Sequence, residues 1–258
     1  MKFGGTPIKT VADQTLEMVN TTKSVNDQGA ATIEQNIRRM VMTMQLPDGQ
    51  EVTIDSAADE EPENELAKSM LPLLKRLTEA KFTFQMQPSG QISDLTVPDE
   101  LFDKKDKSPV AQMFAKMFTK DSLKQIVTQG SPVFPKEELK VGEKWQQHYS
   151  FKNPMGIEQS VDNTFTYFGP ADGENQGTHK LGIEVLIEFA EPPEGGPQIE
   201  IANQDARGTI YFDPAAGRLR RSSIDQSVEM KVKTGGLEID QKLRNQMNVK
   251  VAPIESDQ

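Results

Sequence analysis

The chain has 258 residues, a net charge of −10, 35 % hydrophobic and 26 % charged residues, two histidines and no cysteine. That composition excludes a zinc finger, an iron–sulfur centre and a thiol nucleophile, and the acidic balance argues against nucleic acid as a partner. No run of about eighteen apolar residues offers a transmembrane helix, and the length suffices for a core without a disulfide or metal staple.

Met1-Lys2-Phe3-Gly4-Gly5 lacks the apolar stretch of a secretory leader. It reads as the end of a strand, a Gly-Gly turn and a return strand carrying Ile8, Leu16 and Met18, so the first strand of this hairpin is expected upstream of Met1. The pattern recurs at Met230-Lys231-Val232-Lys233-Thr234-Gly235-Gly236, which leads into Leu237, Ile239, Leu243, Met247, Val249 and Val251. Two explanations stay open: a duplication with halves 1–135 and 136–258, or one turn type used twice.

Residues 30–46 form one long strand whose apolar positions change parity midway. Ile33, Ile37 and Val41 are odd; Met40, Met42, Met44 and Leu46 are even. A β-bulge makes such a change, and its place is Arg38-Arg39; long bulged strands belong to curved sheets. Pro47-Asp48-Gly49 then turns the chain into Val52 and Ile54. Residues 55–65 carry six acids and no base, without the alternating oxygen ligands of a calcium loop, and read as a solvated loop.

Two helical regions interrupt the strands. Leu66, Met70, Leu73, Leu74 and Leu77 share one stripe, which Pro72 is expected to kink or split. A hairpin follows, with Phe82, Phe84 and Met86 before Pro88-Ser89-Gly90 and Ile92 and Leu95 after it. The second helical region opens at Ser108-Pro109, presents Val110, Met113, Phe114, Met117 and Phe118, and stops at Gly130. From 141 onward the chain alternates between strands and turns. Trp145, Gln147, Tyr149 and Phe151 share one parity, as do Leu181, Ile183, Val185, Ile187 and Phe189. The expected fold is α+β and predominantly antiparallel β: long curved, bulged sheets with about two inserted helical regions, in a single domain over 1–258.

Tests for chemistry return little. His148 lies on the polar parity of its strand, whereas His179 opens a strand on the apolar parity. Gly-x-Ser-x-Gly, Walker and dinucleotide-binding loops are missing, and Asp172-Gly173-Glu174-Asn175 lacks the terminal Glu of a calcium loop. No catalytic residue, metal ligand or cofactor is therefore assigned. Arg218, Arg220 and Arg221 read as protection of a strand edge. Methionine is the unusual component, with twelve against three Tyr and one Trp. Met40, Met42 and Met44 share a strand face, while Met113 and Met117 accompany Phe114 and Phe118 on a helix face. These seven residues either pack as a core or line an adaptable apolar cavity for a lipid or acyl chain.

Three stretches carry a resemblance: Val141-Gly142-Glu143-Lys144-Trp145, Asn163-Thr164-Phe165-Thr166-Tyr167-Phe168-Gly169-Pro170, and Gly208-Thr209-Ile210-Tyr211-Phe212-Asp213 through Gly217-Arg218-Leu219. They resemble an uncharacterised family of bacterial exported and lipoprotein-type proteins. The last hairpin is similar to hairpins in periplasmic lipoprotein carriers, whose curved antiparallel sheet wraps helices around an apolar cavity. The resemblance implies an extracytoplasmic place, in the periplasm or cell envelope, although this sequence shows neither a leader nor a lipidation Cys. The expected function is non-catalytic: to hold an apolar small molecule, a lipid or an envelope protein partner between a curved sheet and helices. The alternatives are a structural or adhesive envelope module with a solid core, and a carboxylate-dependent hydrolase with His179 beside a carboxylate in a cleft.

Overall fold

Alternation and turn residues dominate the chain, and the fold follows them. The computed structural model describes residues 2–3, 6–7, 11–46, 49–98, 101, 127, 132–152, 157–192, 196–234 and 236–254. Its elements begin with β1 (Lys2–Phe3), β2 (Thr6–Pro7), β3 (Val11–Val25), β4 (Ala31–Gln45), β5 (Glu51–Asp55), α1 (Glu65–Glu79), β6 (Lys81–Met86) and β7 (Ile92–Thr96). They continue with β8 (Lys144–Lys152), β9 (Glu158–Pro170), β10 (His179–Phe189), β11 (Gln198–Asp213), β12 (Arg218–Thr234) and β13 (Leu237–Lys250). All pairings among the described residues are antiparallel, and α1 is their one multi-turn α-helix. The second helical region expected from Ser108 to Gly130 lies outside them, apart from helical Val127. The chain forms two compact units, Ile8–Pro132 and Val133–Gln258 with Met1–Pro7.

In the first unit β4 is the spine. β3 pairs along one side of it, while on the other side β6 takes Ala31–Asn36 and β5 takes Val41–Gln45. β5 and β6 thus follow one another along a single edge, and α1 fills the excursion between them. Ser56 closes the gap: its N–H donates to the Met40 carbonyl and its hydroxyl accepts from the Met40 N–H, both at 2.9 Å. Glu17 faces Arg39 and Met18 faces Ile37, so Arg38 is the extra residue of a bulge at the expected place. The bulge lets Ile37 before it and Met40 and Met44 after it reach one core, with Val52, Ile54, Ala67, Leu71, Leu74, Leu77 and Phe82.

α1 starts where the Asn64 side chain accepts from the Leu66 and Ala67 N–H groups, at 2.9 and 3.3 Å. Its buried face is Ala67, Leu71, Leu73, Leu74 and Leu77, so Leu66 and Met70 of the expected stripe stand at its margin. Pro72 does not split α1, which runs unbroken from Glu65 to Glu79. Pro72 is exposed, so its ring stands on the face of α1 turned to water.

The acid-rich loop is anchored where it begins. Asp55 accepts from Arg39 Nη2 at 2.6 Å and Nε at 3.1 Å, and from the Ala57 N–H at 2.9 Å. The Arg39 guanidinium first, then the Ala57 amide, holds the Asp55 carboxyl below the usual carboxylate range. A folded-state value below the unfolded one stabilises the fold above about pH 4 and is lost as pH falls through the folded value. Asp55→Asn should therefore flatten the acid side of a plot of urea midpoint against pH. Superimposable acid limbs for the two proteins would show that the pair contributes nothing.

The second unit is a six-stranded meander in the order β13-β12-β11-β10-β9-β8. Phe3 pairs with Thr6 and Thr234 with Leu237, so each Gly-Gly sequence falls between paired strands. The expectation that Arg218, Arg220 and Arg221 guard an edge is corrected here. β12 is interior, because the chain returns as β13 on its other side. Arg220 is the extra residue of a bulge opposite Tyr211 and Phe212; its Nη1 donates to the Gln176 carbonyl at 3.3 Å, and Arg221 lies 3.6 Å from Glu174. The core is Phe165, Leu181, Ile183 and Ile210, with Phe134, Trp145, Tyr167, Val185, Leu219 and Ile224 around it. Trp145 stacks on Phe165 at 5.1 Å and donates its indole N–H to the Val133 carbonyl at 2.9 Å.

Candidate functional site

In the meander, register turns strand alternation into rows across one face. Trp145, Phe165, Ile183, Gly208, Ile224 and Met247 are successive partners from β8 to β13. Two residues further along β8, Gln147 faces Asn163, and Asn163 faces Val185. In the next row Tyr149 faces Val161, Val161 faces Ile187, and Gln204 faces Val228. The first row runs through the core from Trp145 to Ile224 and ends at exposed Met247. Beyond it Tyr149, Phe151, Val161, Val185, Ile187 and Phe189 are only half-buried.

Three amides, Gln147, Asn163 and Gln204, break this apolar face. Gln147 donates to the Tyr149 hydroxyl at 3.0 Å, while its Oε1 is shielded from water and has no hydrogen-bond partner. Burial pushes the Tyr149 hydroxyl above the usual phenol range, so it stays protonated at neutral pH and keeps a proton to donate. Gln204 does something different. The β10–β11 pairing ends at Glu184 and Arg207, and beyond that point the Gln204 amide accepts from the Ile187 N–H and donates to the Ile187 carbonyl, both at 2.9 Å. Beyond this amide bridge, Phe189, Ala190, Pro192, Ile199, Lys231 and Lys233 line part of an open cleft of about 510 Å³.

Met40 is buried and Met44 packs against the core formed with α1; Met42 is half-buried and faces Ile54 and Gln14 in register. Met113, Phe114, Met117 and Phe118 lie outside the described residues. His148 is 60 % exposed, as its parity required, with Nδ1 2.8 Å from Asp162. His179 is half-buried and stacked on Tyr167, with Nδ1 2.8 Å from the Tyr167 hydroxyl. The partner at Nδ1 is a phenol, so the His–carboxylate pair that a hydrolase would need is not what this nitrogen makes. Among the described residues no group of three or more His, Asp or Glu side chains could hold a metal ion, and no helix is long and apolar enough to cross a membrane.

From the sequence, Gln147 falls on the apolar parity of β8 and Asn163 within a stretch of resemblance, neither with a role, and Gln204 is not singled out. A signal was available for Gln147, a polar residue on the apolar parity of β8. For Asn163 and Gln204 only the register shows what they face.

Compared with known proteins, residues 28–173 match the profile of a family described as of unknown function, DUF6263. The match covers β4 through β9 and so runs through parts of both units. No curated protein and no solved structure matches the chain.

Proposed function

The chain belongs to DUF6263, a family of unknown function, and from that premise we propose that it is a non-catalytic binding protein for an apolar ligand with a hydrogen-bond-donating head. The observation that carries this reading is the unpartnered, water-shielded Gln147 Oε1 set in a half-open apolar face. A buried acceptor left unpaired costs about 1–3 kcal/mol. A ligand head that donates to it recovers that loss, while Val161, Val185 and Ile187 take the tail. A protonated fatty acid, a fatty alcohol or an acyl amide has this chemistry. The extracytoplasmic setting is part of the proposal and rests on the resemblance of Val141–Trp145 and the Gly208–Leu219 hairpin to exported proteins.

Native mass spectrometry of freshly purified protein, followed by solvent extraction, tests this reading. The expected result is a reproducible lipid-sized adduct that Ile187→Gln abolishes and Gln147→Leu weakens by roughly tenfold, with unchanged circular dichroism. A clean apo mass that stays unchanged after incubation with a long-chain fatty acid and with its alcohol would overturn it.

A further inference from the structure

β3 is fifteen residues long, and every residue except half-buried Val19 is exposed. It ends its sheet, and among the described residues nothing pairs with its outer side. A strand edge of this kind presents a row of open N–H and C=O groups, which proteins usually blunt with proline, charge or a cover. Between Gln14 and Thr22 β3 has no proline and one charge, Glu17, and Arg39 on β4 lies 3.9 Å from that carboxylate. Leu16 and Met18 stand 38 % and 50 % exposed on the same strand.

We propose that β3 is the contact strand of a homodimer, in which two copies align it antiparallel about a two-fold axis at Met18. The evidence for a second copy as occupant is self-complementarity. When Asp13–Lys23, the stretch that ends where the alternation shifts at the bulge, overlaps itself, Met18 meets Met18. In that register Asp13 faces the other copy's Lys23, and symmetry makes this pair twice. Thr15 faces Thr21, Leu16 faces Asn20, and Glu17 faces Val19. Lys23 is placed for the contact. It is the extra residue of a β3 bulge between Thr22 and Ser24, and its side chain remains 51 % exposed although Glu34 lies 3.2 Å away. An ammonium has three donors and bridges two carboxylates readily.

The other long outer strand makes the contrast. β13 has fourteen residues, so its longest two-fold registers centre on Leu243, which sets Lys242 against Arg244, or on Arg244, which pairs Glu238 with Lys250 but sets Arg244 against itself; each brings like charges together. β1 also lies against β13.

The chain has no cysteine, so a single introduced one reports the register in the full-length protein. Directly opposed residues of an antiparallel pair have Cα atoms about 4.5–5.5 Å apart, within disulfide reach. Met18→Cys should cross-link two copies under mild oxidation. Asn20→Cys should not, because the two Asn20 positions lie four residues apart along the pair, roughly 13 Å. In sedimentation velocity Asp13→Lys should weaken dimerisation by roughly tenfold, since it replaces two attractive pairs with two repulsive ones. A monomer at every concentration, a dimer that leaves Met18→Cys unlinked, or equal cross-linking at both positions would each overturn the proposal.

Discussion

Replacing Phe165 with alanine should destabilise the meander by about 3–5 kcal/mol. Phe165 is 2 % exposed and lies at the centre of the unit's core, against Leu181, Ile183 and Ile210 and under the Trp145 ring. Its strand is held on both sides, by β8 and by β10, so the backbone cannot close over the missing ring. A cavity that cannot collapse puts the loss in the upper part of the range for large-to-small changes. The stacked pair adds about 0.5–1.5 kcal/mol beyond buried area. Trp145 is the one tryptophan of the chain, so its fluorescence follows this unit during urea unfolding. Phe165→Leu should lose less than half as much. A Phe165→Ala loss below about 1 kcal/mol would mean that the neighbours refill the space and that the core is looser than its packing implies.

Gly208→Ala should also be strongly destabilising, against the usual sign for a strand. Alanine is ordinarily better than glycine within a strand by roughly 0.5–1 kcal/mol. Here a Cβ would stand 2.3 Å from the Ser223 carbonyl oxygen and 2.9 Å from the Ile224 Cα, both backbone atoms of the adjoining β12. β12 is tied to β13 on its far side and has no room to retreat. Overpacking of this kind costs about 1–3 kcal/mol and exceeds the propensity gain. Gly182→Ala is the matching control. Its Cβ would come within 2.8 Å of the Phe168 ring, but that ring is a bulge residue's exposed side chain and can swing into water. Thermal unfolding should find Gly182→Ala close to wild type and Gly208→Ala several degrees lower. Equal midpoints for both would show that β12 yields to the added methyl.

The unpaired Gln147 acceptor and the self-complementary β3 edge make independent claims, one in each unit. Loss of the lipid adduct leaves the dimer standing, and a monomeric protein leaves the binding face standing. Neither depends on His179, whose stacked contact with Tyr167 reads as part of the meander's polar end.

Features carried by neighbours along the chain were legible in the sequence. The parity change in residues 30–46 located the Arg38 bulge, because a bulge shifts every later side chain by one position. Pro88-Ser89-Gly90 marked the β6–β7 turn, where Gly90 has a φ of 88°, a value that favours glycine. Antiparallel β as the dominant class followed from the same alternation. What depends on which strand lies alongside could not be read. Arg218, Arg220 and Arg221 resemble edge charges until β13 returns to enclose β12. Pro72 looks like a helix breaker until α1 packs with that residue toward water. Arg39 finds Asp55 sixteen residues away, and Gln204 reaches across to Ile187, because register brings them together. Sequence alone determined the period of each segment and its turns, since these arise from sterics and hydrogen bonds within a few residues. Tertiary structure decided which faces are filled and, among the described residues, which amide stays unpaired and which edge stays open, since these are properties of neighbours that the chain supplies from far along its length.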